Sequence, residues 1–524
     1  MSDHALSPPV WPASHKRSVP SPAAGALAGV VAGALAVTFG MLVAAITDVV
    51  SPIDAVGSEV IDLSPRWVKE WAIEQFGTND KLVLRTGIVV VLAIAAGLLG
   101  VLALKRTVLG AIGIGAFGVV GAVSAVGRPA EGAGAGMPSV LGAMAGAWVL
   151  YLLVRRRPIE IPGESQAPLG WDRRRFFVAS GATAVAATTA GGLARLIDSR
   201  RLAEFRQNAA VPLPDLGATD GVPSVPEGAD LDPSTPFLTP NNRFYRIDTA
   251  LSFPRADAAT WSLTIDGMVD RELTFTYDDL LALPQVEKII TICCVSNEVG
   301  GPYIGNAVWR GVLLGGLLQQ AGVKPEAKQV YSTSLDGWSC GFPVAAAFDG
   351  RDAMVAIGMN GEPLPLEHGY PARLIVPGLY GYVSATKWLA RIELTSWERE
   401  GYWVPRGWAQ QAPIKTQSRI GYPRQNDVLA AGPNKIAGVA WAQGRGIEKV
   451  EVRVDDGPWQ AATLATDVSD DTWRQWVVDW DASLGNHTIT VRATDKTGDT
   501  QTEERTPVAP DGATGHHSVK VKVR

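Results

Sequence analysis

Long apolar runs without charged residues occupy much of the first 200 residues, and they constrain the fold more than any other feature. The stretch Ala23 to Ile46 contains 24 residues and no charged side chain, whereas a transmembrane helix needs ~20 apolar residues. Similar runs follow at 86–104, 107–127, 137–154 and 176–194. Backbone polar groups must be paired internally within a bilayer, so these runs should be helical. The sequence predicts an all-α membrane domain over residues 1–200, with about five transmembrane helices.

The positions of Lys and Arg predict the orientation of these helices, because basic residues are retained on the cytoplasmic side. If His15, Lys16 and Arg17 lie inside, the basic clusters at 105–106, 155–157 and 173–175 also fall inside. Five crossings then place everything after about residue 200 outside the cytoplasm. We expect a multi-pass protein of a prokaryotic cell membrane, with membrane lipid as a partner and the domains after about residue 200 on the extracytoplasmic side.

The segment WDRRRFFVASGATA at 171–184 begins the fifth run and resembles a twin-arginine export signal. The alternative is ordinary anchoring by arginines on the cytoplasmic side. Twin-arginine export carries folded proteins, as a cofactor inserted in the cytoplasm would require. The sequence alone leaves both interpretations open.

Two further features bear on the role of the membrane domain. Gly113, Gly115 and Gly118 spell GxGxxG, but they lie inside an apolar run with no preceding strand, so small residues that ease helix packing explain them better than a dinucleotide site. None of the six histidines lies in a predicted span, which excludes a haem held there by two histidines. We interpret the domain as an anchor, with partner docking or quinone binding as alternatives.

The rest of the chain has a different composition. Pro and Gly recur through 201–236, which predicts a linker. Short strands and helix-like segments alternate over 237–400, as in a mixed α+β domain. Period-two alternation with frequent turns over 426–524 predicts an immunoglobulin-like β-sandwich. The net charge of −5 provides no basic surface for nucleic acid, so nucleic-acid binding is not expected.

Three cysteines are present, and two of them are adjacent at Cys293 and Cys294. Neighbouring cysteines rarely meet disulfide geometry, and with Cys340 the number is odd, so no disulfide framework is expected. Side chains alternate across a strand, so one of the adjacent pair should lie in the core and the other should face a site. Cys294 ends the apolar run where the chain opens into a polar loop, and a thiolate there would suit a soft metal.

Three segments resemble the sulfite oxidase family of molybdopterin-dependent oxidoreductases. They are NNRFYR at 241–246, TICCVSN at 291–297 and MNGEPLPLEHGYPARLIVPGLYGYVSATKWLARIEL at 359–394. The resemblance implies a sulfite-oxidase-type molybdopterin domain over about 237–397 and a dimerisation domain after 425, hence a homodimer. It also implies Mo-molybdopterin as the cofactor, with Cys294 rather than Cys293 as the metal ligand.

The same resemblance implies which side chains contact the cofactor. These are Asn242, Tyr245, Ser296, Asn297, Asp336, His368, Arg373, Ser384, Ala385, Thr386 and Lys387. Arg373 has the planar fork that matches a phosphate, and Lys387 adds a point charge. A surface charge is the alternative for Arg373, but the apolar strand PARLIVPG around it weakens that alternative. Ser384, Ala385 and Thr386 would supply backbone N–H groups and hydroxyls.

The chain also departs from the family pattern where the substrate should bind. Arginines that hold an anion after the ligand segment are replaced by Glu298 and Val299. The tyrosine expected near the metal has no clear counterpart, and Trp338 lies in the corresponding loop. Arg246 remains as an anion contact. We list Cys294, Glu298, Trp338 and Arg246 as candidate catalytic residues.

These observations predict oxygen-atom transfer on a small, non-anionic substrate such as an S-oxide or N-oxide. The alternative enzyme is a sulfite dehydrogenase or oxidase, and the alternative of another class is a metal-free docking or assembly protein. The chain has no CxxCH haem motif, so electrons should pass to or from a separate carrier, either a quinone or a cytochrome.

The predicted topology can be tested with reporter fusions placed after Arg106, Arg157 and Asp215. Because basic residues stay in the cytoplasm, the first two fusions should report a cytoplasmic position and the third an extracytoplasmic one. A cytoplasmic signal at Asp215 would mean an even number of crossings and would contradict the prediction.

Overall fold

The protein is described by a computed structural model that covers two compact units, Met1–Leu202 and Ala203–Arg524. The residues that the structure describes are 20–76, 79–128, 131–155, 157–158, 169–170, 173–209, 212–214, 216, 225–231 and 234–524.

The first unit is helical. Its helices are α1 (Pro22–Thr47), α2 (Pro52–Leu63), α3 (Arg66–Phe76), α4 (Asp80–Lys105), α5 (Thr107–Val126), α6 (Met137–Val154) and α7 (Arg173–Ala209), the last of which continues into the second unit. A two-residue ladder, β1 (Arg157–Pro158) with β2 (Leu169–Gly170), precedes α7. Among the described residues, five helical segments are long and apolar enough to cross a membrane: Pro22–Thr47, Lys81–Lys105, Thr107–Val126, Ala133–Val154 and Arg173–Ala209. The predicted set of five apolar helices is confirmed.

Small residues let these helices approach closely. A Cβ atom on Gly29 would lie 1.9 Å from the carbonyl oxygen of Ala96, so α1 and α4 touch through their backbones. Gly118, the last glycine of the GxGxxG pattern, faces Ala143 in the same manner, with its Cβ position 2.3 Å from the alanine methyl. Gly113 and Gly118 therefore lie against neighbouring helices, as glycines in membrane helices commonly do, whereas Gly115 has no atom within 4 Å of its Cβ position.

The structure does not describe all the residues on which the predicted membrane orientation depends. His15, Lys16 and Arg17, on which the orientation depends, lie outside the described residues, as does Arg156. The side of the membrane therefore stays a prediction. Helix α7 runs past the predicted start of the linker at residue 201 and ends at Ala209, because the polar stretch SRRLAEFRQNA contains neither Pro nor Gly.

The second unit begins with a mixed α+β domain. Its elements are β3 (Ser262–Gly267), β4 (Leu273–Thr276), α8 (Tyr277–Ala282), β5 (Val286–Cys293), β6 (Ile304–Leu313), α9 (Leu314–Ala321), β7 (Gln329–Ser334), β8 (Ser339–Pro343), β9 (Met354–Met359), β10 (Glu362–Pro363), β11 (Arg373–Ile375), α10 (Gly381–Ser384) and β12 (Leu389–Thr395). One sheet has the order β10-β9-β6-β5 with β11 also on β9, and the other has the order β4-β3-β12-β7-β8. Strand β12 runs parallel to β3, and the other pairs are antiparallel.

The remaining strands form two further sheets. They are β13 (Gln417–Tyr422), β14 (Val428–Leu429), β15 (Gly432–Trp441), β16 (Ile447–Val454), β17 (Gln460–Ala461), β18 (Thr463–Leu464), β19 (Arg474–Ala482), β20 (Gly485–Asp495) and β21 (His517–Val523). The sheet orders are β13-β15-β19-β18 and β14-β21-β20-β16-β17. Side chains from both sheets, including Ile436, Trp476 and Ile489, share one core. A two-sheet sandwich is therefore present, and its immunoglobulin-like character stays a prediction.

The described part of the predicted linker packs against the second unit instead of spanning free space. The Gln475 side chain donates to Asp230 at 3.1 Å, and the indole of Trp473 donates to the carbonyl oxygen of Phe237 at 3.0 Å. Ala229 and Phe237 are buried. Pro and Gly made this segment irregular in structure, but they did not make it a loose spacer.

The sandwich also contains a fully buried carboxylate at Asp495, the last residue of β20. It accepts hydrogen bonds from the hydroxyls of Thr416 and Thr497 at 2.7 and 2.6 Å and from Arg445 at 2.9 Å. Burial opposes ionisation, but the hydrogen bonds from Thr497, Thr416 and Arg445 lower the pKa of Asp495 to about 2. The carboxylate thus joins the end of β20 to two connecting loops.

Asp495→Asn should destabilise the second unit at pH 7 by ~2–3 kcal/mol, because the pKa of an aspartate is ~3.9 in the unfolded chain. A depressed folded-state pKa stabilises the fold above pH ~4 and ceases to do so as the pH falls towards 2. Unfolding followed by tryptophan fluorescence at pH 7, 5 and 3 should show the difference from the unmodified protein shrinking at the lowest pH. Asp479→Asn, at a position 89% exposed, is the control. An equal difference at all three pH values would contradict the assignment.

Candidate active site

The adjacent cysteines lie where β5 ends and the following loop begins. Cys293 is buried among Val295, Ile304 and Tyr380 in an apolar cluster, and its Sγ lies 3.4 Å from the carbonyl oxygen of Cys294. Cys293 is therefore a core residue. Cys294 is 8% exposed and lies outside the regular strand.

Hydrogen bonds within the loop after Cys294 define its path. The Cys294 N–H donates to the carbonyl oxygen of Tyr303 at 2.9 Å, and the Asn297 N–H donates to the carbonyl oxygen of Cys294 at 3.0 Å. The Asn297 side-chain oxygen accepts from the Tyr303 N–H at 2.8 Å. The Asn297 Nδ2 is buried, and a hydrogen bond from the Asn297 side chain to the Cys293 thiol opposes the rise in the pKa of that thiol caused by burial. The Asn297 side chain therefore has the core cysteine as a neighbour.

The Cys294 thiol has donors directed towards it. Burial raises the pKa of the Cys294 thiol, and hydrogen bonds from the backbone and side chain of Ser296 and the charge of Lys387 oppose this rise. These groups would stabilise a thiolate, which is the form that binds metals. The surroundings of Cys294 are thus suited to a metal ligand, whereas those of Cys293 are suited to packing.

Arg373 lies on β11, in the same sheet as β5, and is only 3% exposed. Its guanidinium donates to the carbonyl oxygen of His368 at 3.0 Å and lies 5.0 Å from the ring centroid of Trp309. Burial lowers the pKa of Arg373 to about 10. Within the described part of the chain, no carboxylate lies within ion-pair distance of this guanidinium. A buried cation without a counter-ion is costly, so its position indicates a site for an anion.

Lys387 belongs to a network that sequence reasoning only partly identified. Its ammonium group donates to Asp248 at 3.0 Å and to the carbonyl oxygen of Glu367 at 3.1 Å. Asp248 is itself buried to 7% exposure and accepts from Arg246 at 2.9 Å. Burial lowers the pKa of Lys387 to about 8, and the neighbouring Asp248 opposes this shift. Asp248 therefore holds Arg246 and Lys387 together.

Asp248 was missed because nothing local marks it. It lies two residues after Arg246, and its second partner, Lys387, follows 139 residues later in the chain. The alternation of charges in FYRID was a signal for the first contact only. The contact between Asp248 and Lys387 forms only in the folded chain.

A cavity of about 290 Å³ opens beside these residues. Its lining is Arg206, Asn241, Asn242, Phe244, Arg246, Phe253, Glu367 and His368. His368 is buried, and its Nε2 lies 3.0 Å from the carbonyl oxygen of Asn241. Burial and then the charge of Lys387 lower the pKa of His368 to about 4, so its imidazole is neutral at pH 7. Three predicted residues, Asn242, Arg246 and His368, therefore share one cavity.

Tyr245 links the surroundings of Cys294 to those of Arg373. Its ring stacks on Phe244 with centroids 5.3 Å apart. Burial, followed by the charges of Cys294 and Cys293, raises the pKa of Tyr245 well above its ordinary value, and the charge of Arg373 opposes this rise. The Tyr245 ring also lies 6.4 Å from that of Tyr303, whose carbonyl oxygen accepts from the Cys294 N–H. Phe244 in turn meets Trp309, over which the Arg373 guanidinium lies.

The hydroxyls predicted in the phosphate cradle point elsewhere. The Ser384 hydroxyl donates to the carbonyl oxygens of Leu379 and Tyr380 at 3.3 and 3.1 Å. The Thr386 hydroxyl lies 2.7 Å from that of Ser332 and 3.1 Å from the Cys340 sulfur. The prediction that these hydroxyls serve a ligand does not fit this arrangement, because both already have protein partners. The Ala385 N–H also has one, the carbonyl oxygen of Gly381 at 2.9 Å.

The remaining predicted residues lie at the edges of the site. Asp336 accepts from the Trp338 N–H at 3.1 Å, which closes the turn between β7 and β8. Glu298 is exposed, whereas Val299 is buried. The contacts of Asp336 and Trp338 in that turn do not join them to Cys294. A catalytic role for Glu298 or Trp338 and a cofactor role for Asp336 stay predictions.

Comparisons with known proteins agree with this geometry. Residues 250–403 match the family described as "Oxidoreductase molybdopterin binding domain", and residues 409–523 match "Mo-co oxidoreductase dimerisation domain". The two matches follow one another and define the class, a molybdopterin-binding oxidoreductase with an attached dimerisation domain. The chain belongs to the sulfite oxidase family of these enzymes.

Individual relatives cover different shares of the chain. Uncharacterized oxidoreductase YuiH of Bacillus subtilis is 36% identical over 152 residues, which are 29% of this chain and 74% of that protein. Mitochondrial sulfite oxidase of Mus musculus is 30% identical over 271 residues, which are 44% of this chain and 49% of that protein. The chain thus spans about half the length of the curated sulfite oxidases that it matches. Among solved structures, the sulfane dehydrogenase SoxCD of Paracoccus pantotrophus is 25% identical and covers 61% of this chain and 90% of that chain, with a TM-score of 0.47.

The residues present fit Mo-molybdopterin, the cofactor that the family implies. Arg373 is a buried cation, and the described residues place no carboxylate within ion-pair distance of it. No group of three or more His, Cys, Asp or Glu among the described residues could hold a metal unaided. A single thiolate from Cys294 matches a metal whose other donors come with the pterin.

The sandwich domain reaches the loop that follows Cys294. Gly300 has a φ of +80°, and a Cβ atom there would lie 2.1 Å from the His517 ring. His517 is fixed by the Ile420 N–H, which donates to its Nδ1 at 3.0 Å, and Arg419 donates to the carbonyl oxygen of Gly301 at 2.9 Å. Strands β13 and β21 therefore support the candidate metal-binding loop.

Gly300→Ala should destabilise the second unit more than Gly350→Ala. Both positions have positive φ, but Gly350 has no atom within 4 Å of its Cβ position. Backbone strain should cost ~1–2 kcal/mol at either site, and the clash with His517 should add ~1–3 kcal/mol at Gly300 alone. Thermal unfolding of the two purified variants measures the difference. Equal stability of both variants would show that His517 yields freely and does not fix the loop.

Proposed function

We propose that this protein is a membrane-anchored molybdopterin-dependent oxidoreductase that transfers an oxygen atom to or from a small substrate outside the cytoplasm. The observation that carries the proposal is the pairing of a buried thiol, Cys294, with a buried guanidinium that has no carboxylate, Arg373. Ring contacts link them through Tyr245. Tyr245 lies beside Tyr303, which accepts from the Cys294 N–H, and it stacks on Phe244, which meets the Trp309 ring beneath Arg373. When bound, the cofactor supplies two-electron redox chemistry coupled to oxygen-atom transfer.

The protein residues bind and orient this cofactor. Cys294 would hold the metal as a thiolate, and the two donors of Ser296 would stabilise its charge. Arg373 and Lys387 would hold the phosphate, since a guanidinium binds oxyanions through a planar fork and an ammonium through a point charge. The neutral imidazole of His368 can bond a pterin edge. Phe244 and Trp309, both buried, exclude water from this side of the site.

We propose a neutral S-oxide or N-oxide as the substrate. Lys387 and Arg246 already share the carboxylate of Asp248, which reduces their attraction for an anionic substrate. Glu298 adds a negative charge on the loop after Cys294, but it is exposed. In water a unit charge ~6 Å away contributes less than ~1 kcal/mol, so Glu298 would disfavour sulfite only weakly.

Sulfite oxidation is the second candidate, and one observation favours it. The exposed Arg246 lies on the wall of the cavity and could attract an oxyanion. The mouse relative is also named a sulfite oxidase. A metal-free docking protein is not favoured. Such a protein would bury Arg373 without a compensating anion, which would destabilise its fold.

The surrounding parts of the chain suggest its partners. Five helices long and apolar enough to cross a membrane would anchor the enzyme in a prokaryotic cell membrane. The chain lacks a CxxCH motif and has no histidine in these helices, so a separate quinone or cytochrome would carry the electrons. The match of residues 409–523 to a dimerisation domain supports a homodimer.

Cys294→Ser and Cys293→Ser test the proposal as a matched pair. Cys294→Ser should lose molybdenum and all turnover, because a serine hydroxyl is a poor ligand for a soft metal. Cys293→Ser should keep both, with some loss of stability from the buried hydroxyl. The measurements are metal analysis of the purified protein and turnover of a neutral sulfoxide, an N-oxide and sulfite with artificial redox partners.

Three results would contradict parts of this proposal. A protein that contains no molybdenum after expression in a host that makes the cofactor would overturn the function as a whole. Equal loss of metal in both variants would remove the assignment of Cys294. Faster turnover of sulfite than of any neutral oxide would replace the proposed substrate with the second candidate.

A further inference from the structure

The last turns of α7 pack onto the molybdopterin domain. Residues from Ala203 onward belong to the second unit. The ring of Phe205 meets that of Tyr370 edge to face, with centroids 5.8 Å apart. Phe205 and Ala209 also pack on the apolar cluster that contains Phe244. This end of the helix therefore has a defined place beside the candidate site.

This packing places Arg206 on the wall of the cavity, together with Asn242, Arg246 and His368. Its guanidinium lies 4.0 Å from the carboxylate of Glu367, and the two side chains are 56% and 36% exposed. Exposed ion pairs of this kind contribute only ~0–1 kcal/mol. The contact therefore leaves the guanidinium able to turn towards an anion in the cavity.

The charges around the cavity favour an anion. Four cations belong to this connected group, namely Arg206, Arg246, Arg373 and Lys387. Three carboxylates balance them: Asp248, Glu367 and Glu362, the last of which accepts from the lining residue Asn241 at 3.3 Å. Four positive charges and three negative ones leave an excess of one positive charge. His368 is neutral at pH 7, because burial and nearby cations lower its pKa to about 4.

We propose that Arg206 is an oxyanion-binding residue of this cavity, supplied by the end of the helix that provides the fifth candidate span. A guanidinium binds the planar face of an oxyanion through two parallel hydrogen bonds. The oxyanion is either the phosphate of the bound cofactor or sulfite, the second candidate substrate, and this inference rests on the molybdopterin-dependent function proposed for the same site. Retention of the ligand would then depend on the end of the anchoring helix.

Three variants of the full-length protein in detergent test the proposal. Arg206→Ala removes the charge, Arg206→Lys keeps the charge without the fork, and Arg200→Ala is the control. Arg200 is exposed on the same helix and does not line the cavity. Circular dichroism verifies that each variant folds.

The first measurement is the release of molybdenum and pterin during dialysis, and the second is the KM for sulfite with an artificial electron acceptor. The third is the affinity of cofactor-free protein for inorganic phosphate, followed by calorimetry. Loss of a charge-assisted hydrogen bond corresponds to about a tenfold effect. Arg206→Ala should therefore weaken phosphate binding about tenfold, Arg206→Lys should weaken it less, and Arg200→Ala should leave it unchanged.

The release of molybdenum and the KM together distinguish the two sources of the oxyanion. About tenfold faster release of molybdenum from Arg206→Ala identifies the cofactor phosphate. Unchanged release with about a tenfold higher KM identifies the substrate. Unchanged phosphate affinity, release and KM would overturn the proposal, even if the variant lost stability, because Arg206 would then serve only the end of the helix. If the unmodified protein held no molybdenum but bound phosphate through Arg206, the proposed function would fail although Arg206 still bound an oxyanion, so the two failures are distinguishable.

Discussion

The arrangement of the site depends on the burial of Arg373 without a carboxylate. A guanidinium removed from water must find hydrogen bonds and a compensating charge. The protein supplies the carbonyl oxygen of His368 and the face of Trp309, but both are uncharged. The compensating anion must then come from a ligand. In the proposed site, the cofactor phosphate would supply this anion and would contribute to the stability of the folded domain.

The neighbouring cations, unlike Arg373, have a carboxylate partner. Lys387 and Arg246 share Asp248, so their charges are partly neutralised before any ligand arrives. Arg373, which has no carboxylate partner among the described residues, would remain to bind an anion, whereas Asp248 restrains Lys387 and Arg246 in position. In the proposed site, this division would let a phosphate be held firmly without attracting every small anion nearby.

Features of the fold and of the candidate site could be predicted from the sequence where their signal is local. Uncharged runs identified the five apolar helices, since their length alone sets them apart from soluble helices. Alternation in β5 separated Cys293 from Cys294, and the motif around Arg373 marked a cation inside an apolar strand. Features that depend on distant partners could not be predicted. Asp248 gains its role from Lys387, and the Thr386 hydroxyl turns to Ser332 and Cys340, which no spacing rule indicates.

The packing of residues 225–231 and 234–240 affects how a soluble fragment should be designed. A fragment that began at residue 237 would remove Asp230 and Leu231, which are hydrogen-bonded to the buried Gln475. The amide would be left in an apolar interior without these partners. A fragment that began at Ala203 keeps them, along with Phe205 against Tyr370. The proper boundary for crystallisation or immunisation thus lies well upstream of Ser262, where the first strand of the domain begins.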